Sequence, residues 1–131
     1  MDALFPTAPD HAALEHGPVL APSFNADGLV AAILQHAETG EVLMLGWMNA
    51  EALRRTLESG QIWFFSRARQ TLWLKGETSG QIQQVVELRI DCDQDAILAR
   101  VLPQGDGGVC HTGARACFYR VIEEGQLVQR P

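Results

Sequence analysis

A chain of 131 residues with 47% apolar side chains is long and apolar enough for one domain with a real core, and too apolar to stay disordered. Its net charge of −6 argues against general nucleic-acid binding, and it lacks the run of about 18 apolar residues that a membrane-spanning helix needs. The start, MDALFPTAPDHAALEHG, has no basic cluster and no long apolar segment, so it does not read as a secretion signal; the cytoplasm is the expected compartment.

Residues 1–22 contain four prolines and no periodicity, which predicts a loosely ordered arm ahead of a single domain over 23–131. "LVAAILQ" (29–35) and "EVLMLGW" (41–47) flank a Thr-Gly turn and predict a hairpin, although 29–35 also fits a helix. "NAEALRRTLESG" (49–60) predicts a helix with Asn49 as N-cap, Glu51 in the first turn, Leu53 and Leu57 sharing a face, and Gly60 as the stop. "QIWFFSR" (61–67) and "TLWLKG" (71–76) read as strands around a short polar link. In "QIQQVVELRI" (81–90), Val86, Leu88 and Ile90 alternate with Glu87 and Arg89. "AILARVL" (96–102) and "CFYRVIE" (117–123) are further candidate strands, separated in part by the glycine-rich "PQGDGGV" (103–109). The expected architecture is α+β, a mostly antiparallel sheet with one clear helix.

Continuing the alternation of 86–90 places Cys92 on the apolar face and Asp91, Asp93 and Asp95 together on the other. Three carboxylates form a hard oxygen site suited to Mg²⁺, or a solvated acidic loop. Cys92, Cys110 and Cys117 are an odd number of thiols, which argues against a disulfide framework. They are either buried free thiols or three zinc ligands with a fourth place open to water, the form of a catalytic site. His111 fits general acid–base work, and in a closed structural site it would be the fourth ligand. A thiol redox protein is disfavoured, because no C-x-x-C occurs. No Lys or Arg precedes Arg54, and seven of the ten basic residues lie from Arg67 to Arg120, so an anion would bind to the second half.

Four segments, "GEVLMLGWMNAEAL" (40–53), "SRARQTLWLKGETSG" (66–80), "DCDQD" (91–95) and "VCHTGARACFYR" (109–120), together resemble the phosphoribosyl-AMP cyclohydrolase family. The resemblance runs from about Phe24 to Arg120 with the motifs in family order. It implies hydrolysis of the N1–C6 bond in the adenine ring of phosphoribosyl-AMP, the third step of histidine biosynthesis. It further implies zinc on Cys92, Cys110 and Cys117, magnesium on Asp91, Asp93 and Asp95, and an intertwined homodimer in which each zinc is shared between subunits. For such a substrate, His111 is the candidate for moving protons, Arg67, Arg69 and Lys75 for meeting phosphate, and Thr78, Ser79 and Gly80 for added donors. Trp63 and Trp73 suit base stacking or core packing. The chain departs from the family pattern in a longer loop between Cys92 and Cys110 that includes Asp106, in Ala68 and Ala116 where hydroxyl residues are common, and in Gln81 where His or Asn is frequent.

Overall fold

The computed structural model describes residues 4–130. Two helices occur where the sequence predicts one. The first, α1 (His11–His16), is capped by Asp10, whose carboxylate accepts from the Ala13 N–H at 2.8 Å. No residue of α1 is buried, so it has no apolar face for a periodicity argument to detect.

The predicted hairpin forms from β1 (Val30–His36) and β2 (Val42–Met48). Segment 29–35 is therefore a strand, and its Val30, Ala32 and Leu34 are all buried. The predicted helix is α2 (Ala50–Ser59): Asn49 accepts from the Ala52 N–H at 2.8 Å, and Gly60 ends it with φ of 71°. Leu57 does not share the buried face of Leu53; it is 46% exposed. Thr56 is buried instead, because its hydroxyl donates to the Ala52 carbonyl and accepts from the Trp63 N–H, both at 2.9 Å. That second bond fixes the rotation of the helix over the next strand.

A short hairpin follows, β3 (Trp63–Ser66) with β4 (Thr71–Leu74). Then β5 (Gln83–Ile90) and β6 (Ala96–Pro103) complete the main sheet, in the order β2-β1-β6-β5. The central pair, β1 and β6, is parallel, and the other neighbours are antiparallel. A parallel pair needs a long connection, here supplied by everything from β2 to β5. The core lies on one face of β1 and β6, with Leu43, Met48, Leu53, Ile62, Phe64 and Val109 packed against it.

The alternation expected for 86–90 is broken. A bulge between Val85 and Glu87 leaves Val86 54% exposed, while Val85, Leu88 and Ile90 pack on the core. One extra residue in a strand changes its phase, and pattern reading from the sequence does not register it. The last predicted strand starts at Arg120, not Cys117. It is β7 (Arg120–Glu123), paired with an unpredicted β8 (Gln126–Gln129) in a separate exposed hairpin. No helix among the described residues is long and apolar enough to cross a membrane.

Candidate active site

The segment after β4 and the loop after β6 meet to form a cleft. Gly76 makes the first turn possible: it has φ of 88°, and an added Cβ would lie 2.2 Å from the Gln81 backbone. The turn closes with Gly80 N–H donating to the Gly76 carbonyl at 2.8 Å. Facing it, Gly105 packs so that a Cβ would lie 2.7 Å from the Gly80 carbonyl oxygen. Asp106 then accepts from the Gln81 side-chain amide and from the Gly108 N–H, both at 2.9 Å. Gln81 and Asp106 thus make one contact that pins the loop after β6. Hydrogen bonds from Gly108 and then Gln81 hold the Asp106 carboxyl below its ordinary range.

Beyond this pin the chain makes a tight turn. Gly113 N–H donates to the Cys110 carbonyl at 2.9 Å, and Cys110 N–H to the Ala114 carbonyl at 3.1 Å. Cys110 is buried and His111, at the corner, is exposed. Cys117 returns beside β2, its N–H donating to the Leu43 carbonyl at 2.7 Å. The Cys110 and Cys117 thiols lie near enough to influence each other's ionisation. Burial pushes the Cys110 thiol up, but hydrogen bonds with Thr112 and Cys117 and the Lys75 charge outweigh it, so the net shift is downward. Cys117 is raised to about 11, first by burial of its sulfur and then by Cys110, although the residue as a whole is exposed. Two facing thiols that cannot both ionise easily are a donor set suited to a soft divalent cation.

Arg69, Trp73, Lys75, Thr78, Ser79, Cys110 and His111 line one cleft of about 430 Å³. The structure therefore brings most of the sequence-derived basic, hydroxyl, thiol and imidazole candidates together. Arg67 lies in an adjoining groove of about 490 Å³, its guanidinium 5.0 Å over the Trp47 ring; Arg69 and Trp73 border both spaces. Gly80 shapes the turn and does not line the cleft. Trp63 packs against the core under Arg55.

Asp91, Asp93 and Asp95 are elsewhere, in the turn between β5 and β6. Their side chains place one oxygen each within 4.8 Å of the others, which could hold a metal ion. The strand geometry expected for them is absent: β5 ends at Ile90, and Gln94, with φ of 59°, turns the chain. Asp91 builds the turn by accepting from the N–H groups of Asp95 at 2.9 Å and Ala96 at 3.1 Å. The side chains converge because the turn curls them inward. Shared hydrogen bonds with Asp91 and Asp93 push the Asp95 carboxyl up to about 6. For Asp91, burial raises the value, but bonds with Asp95 and the backbone of Ala96 and Asp95 outweigh it.

Cys92 also departs from expectation, being exposed on this turn and not set on the apolar face of β5. Among the described residues, the three aspartates are the only group of three or more metal-ligating side chains that converges, so Cys92 does not join Cys110 and Cys117 within one chain. The topology explains the gap. Cys117 hangs on Leu43 of β2, level with Leu34 and Gln35 of β1, whereas Cys92 lies in the turn before Ala96, which pairs with Ala31 at the other end of β1. Three to four residues along a strand amount to about 10–13 Å, whereas sulfurs on one zinc are at most about 4.6 Å apart.

Two side chains escaped the sequence reading. Gln94 is buried; its amide accepts from the Ala21 N–H at 2.8 Å and donates to the Leu14 carbonyl at 2.9 Å, tying the N-terminal segment to the aspartate turn. Trp47 borders both the groove of Arg67 and a cleft of about 500 Å³ that reaches Asp93 and Asp95. Nothing local marks either; an exposed-looking Gln and an apolar Trp in a strand are ordinary.

A family model described as phosphoribosyl-AMP cyclohydrolase matches residues 44–119. A protein of that name from Caulobacter sp. (strain K31) is 62% identical over 130 residues, covering 99% of this chain and 97% of the relative. Its namesake from Caulobacter vibrioides (strain NA1000 / CB15N) is 64% identical over 127 residues, covering 97% and 91%. Another from Hyphomonas neptunium (strain ATCC 15444) is 55% identical over 123 residues, covering 94% and 92%. With its motifs spread over β2 and α2, the cleft and the aspartate turn, this chain belongs to the phosphoribosyl-AMP cyclohydrolase family, enzymes that are hydrolases of histidine biosynthesis.

Proposed function

We propose that this protein hydrolyses the N1–C6 bond of the adenine ring of phosphoribosyl-AMP in the cytoplasm, with residues 23–131 as the cyclohydrolase domain and 1–22 as an appended arm. One observation carries the mechanistic part: Cys110 and His111 open onto the same cleft as Arg69, Lys75, Thr78 and Ser79. Cys110 and Cys117 hold zinc together with Cys92 of a second copy, so the working unit is a homodimer. The separation of Cys92 from the other two thiols within one chain supports this sharing. All three cysteines are free, as a reducing compartment requires. Zinc at this site supplies an acidified water as nucleophile at neutral pH.

The water oxygen bonds to C6, the C6–N1 bond breaks, and N1 leaves with a proton. His111, exposed at the corner of its turn, takes the proton from the attacking water and returns one to N1. Arg67 and Arg69 meet the phosphates, Lys75 adds positive charge at the cleft floor, and Thr78, Ser79 and the Gly80 turn offer donors. Asp91, Asp93 and Asp95 hold magnesium, whose hard, oxygen-seeking character fits three converging carboxylates.

Ring opening changes the purine chromophore directly. Ultraviolet absorbance of phosphoribosyl-AMP with the pure protein should change with time, stop changing after zinc is chelated, and change again when zinc is restored. A static spectrum with zinc-loaded, magnesium-supplemented protein would overturn the reading.

A further inference from the structure

Lys75 is the one lysine of the chain, and it is 7% exposed. Its ammonium donates to the Val109 carbonyl and stands 5.8 Å over the Trp73 ring. No carboxylate pairs with it among the described residues. A buried ammonium without a nearby anion is strongly disfavoured. Lys75 and Cys110 line the same cleft. Val109, which accepts its hydrogen bond, directly precedes Cys110.

The charges also balance. Three thiolates around one Zn²⁺ leave a net charge of −1, and one buried ammonium beside them brings the cluster to neutrality. An uncompensated thiolate set surrenders electron density to the metal, which lessens its power to acidify water. A fixed cation beside the sulfurs opposes that transfer, and groups that support metal ligands in this way influence affinity and reactivity strongly.

We propose that Lys75 is a positioning residue of the zinc centre, holding the Val109–Cys110 backbone with its hydrogen bond and neutralising the thiolates with its charge. This rests on the zinc reading above. It gives Lys75 a role distinct from grasping phosphate, which a buried ammonium committed to a backbone carbonyl serves poorly.

The test uses three variants of the full-length protein. Lys75→Gln keeps a donor for the Val109 carbonyl and removes the charge; Lys75→Met removes both; Lys75→Arg restores a cation. Zinc affinity is measured by competition with a chromogenic chelator, the thiolate-to-metal absorption band on the cobalt(II)-loaded protein, and kcat and KM at saturating zinc. Lys75→Gln should weaken zinc about ten- to hundredfold, Lys75→Met at least as much, and Lys75→Arg less than either. The cobalt band should move in the Gln variant, and kcat should fall while KM changes little. Unchanged zinc affinity and cobalt band with a raised KM would overturn the proposal and make Lys75 a phosphate contact. Absence of a cobalt–thiolate band in the unmodified protein would overturn the zinc reading itself, and the role of Lys75 with it.

Discussion

The aspartate turn and the thiol cleft reach their geometry by different routes. Asp91, Asp93 and Asp95 belong to one turn, and its defining hydrogen bonds span four or five residues. The thiol cleft joins Lys75 from the end of β4, the loop pinned by Gln81 and Asp106, the Cys110 turn, and Cys117 anchored on Leu43. The first is local, exposed and tolerant of change elsewhere. The second is collective and partly buried, so removing one member disturbs the others. A ligand cluster at a turn can be made by a short peptide; a cluster that uses a buried cation needs the whole fold behind it.

The sharpest way to break this comparison is to join the two regions across two copies of the chain. Cys92→Ser and Cys110→Ser proteins should each lose zinc-dependent activity to background. Unfolded together and refolded as a mixture, they should recover about one quarter of the unmodified activity, since half the dimers are mixed and each carries one intact site. A mixture as inactive as its parents would show that the zinc is not shared.

A smaller effect is expected where the grooves meet. Gly46 on β2 borders the groove of Arg67, and a Cβ there would lie 2.5 Å from the buried Phe64 ring, which in turn packs 5.3 Å from Trp73. Gly46→Ala should cost about 1–3 kcal/mol in urea unfolding, as overpacking a filled core does. An unchanged midpoint would mean that the Phe64 ring yields freely and that this wall is softer than its burial indicates.

The smallest effect belongs to the exposed turn. The Asp95 carboxyl, at about 6 against an ordinary 3.8, takes up a proton more readily in the folded chain than in the unfolded one. Its contribution therefore lowers stability as pH rises from about 4 to about 6 and is constant above that. Mg²⁺ should offset the repulsion, raising Tm by a small amount at pH 7.5 and hardly at pH 5, where protons compete. Asp93→Asn should raise the Tm of the metal-free protein at pH 7.5 and remove the Mg²⁺ response. A Tm indifferent to Mg²⁺ at both pH values would make the turn a solvated acidic loop.

Segments whose structure depends on near neighbours were legible beforehand. The β1–β2 hairpin and α2 follow from turn chemistry and capping, down to Asn49 and Gly60. Leu57 was misplaced, because the rotation of α2 is set by the bond from Trp63 to Thr56, a contact with the following strand. The phase of β5 was misplaced because Val86 bulges out to let Val85, Leu88 and Ile90 reach the core opposite Val101, Ala99 and Ile97. Gln81 and Asp106 read as two unrelated departures until the fold made them partners at 2.9 Å.

The sequence by itself determined the kinds of chemistry present. Three thiols, three carboxylates within five residues, one histidine beside a cysteine and a basic second half are properties of residue type and spacing. The carboxylates converge wherever that turn forms, because their spacing is short enough for backbone geometry to bring them together. Only the tertiary structure decided that Cys110 and Cys117 come near one another, that Cys92 stands apart from them, and that the lone lysine is buried on the Val109 carbonyl beside Cys110. Burial and the closeness of charges depend on which distant segments pack together, and that packing is settled by the core as a whole and not by any neighbour along the chain.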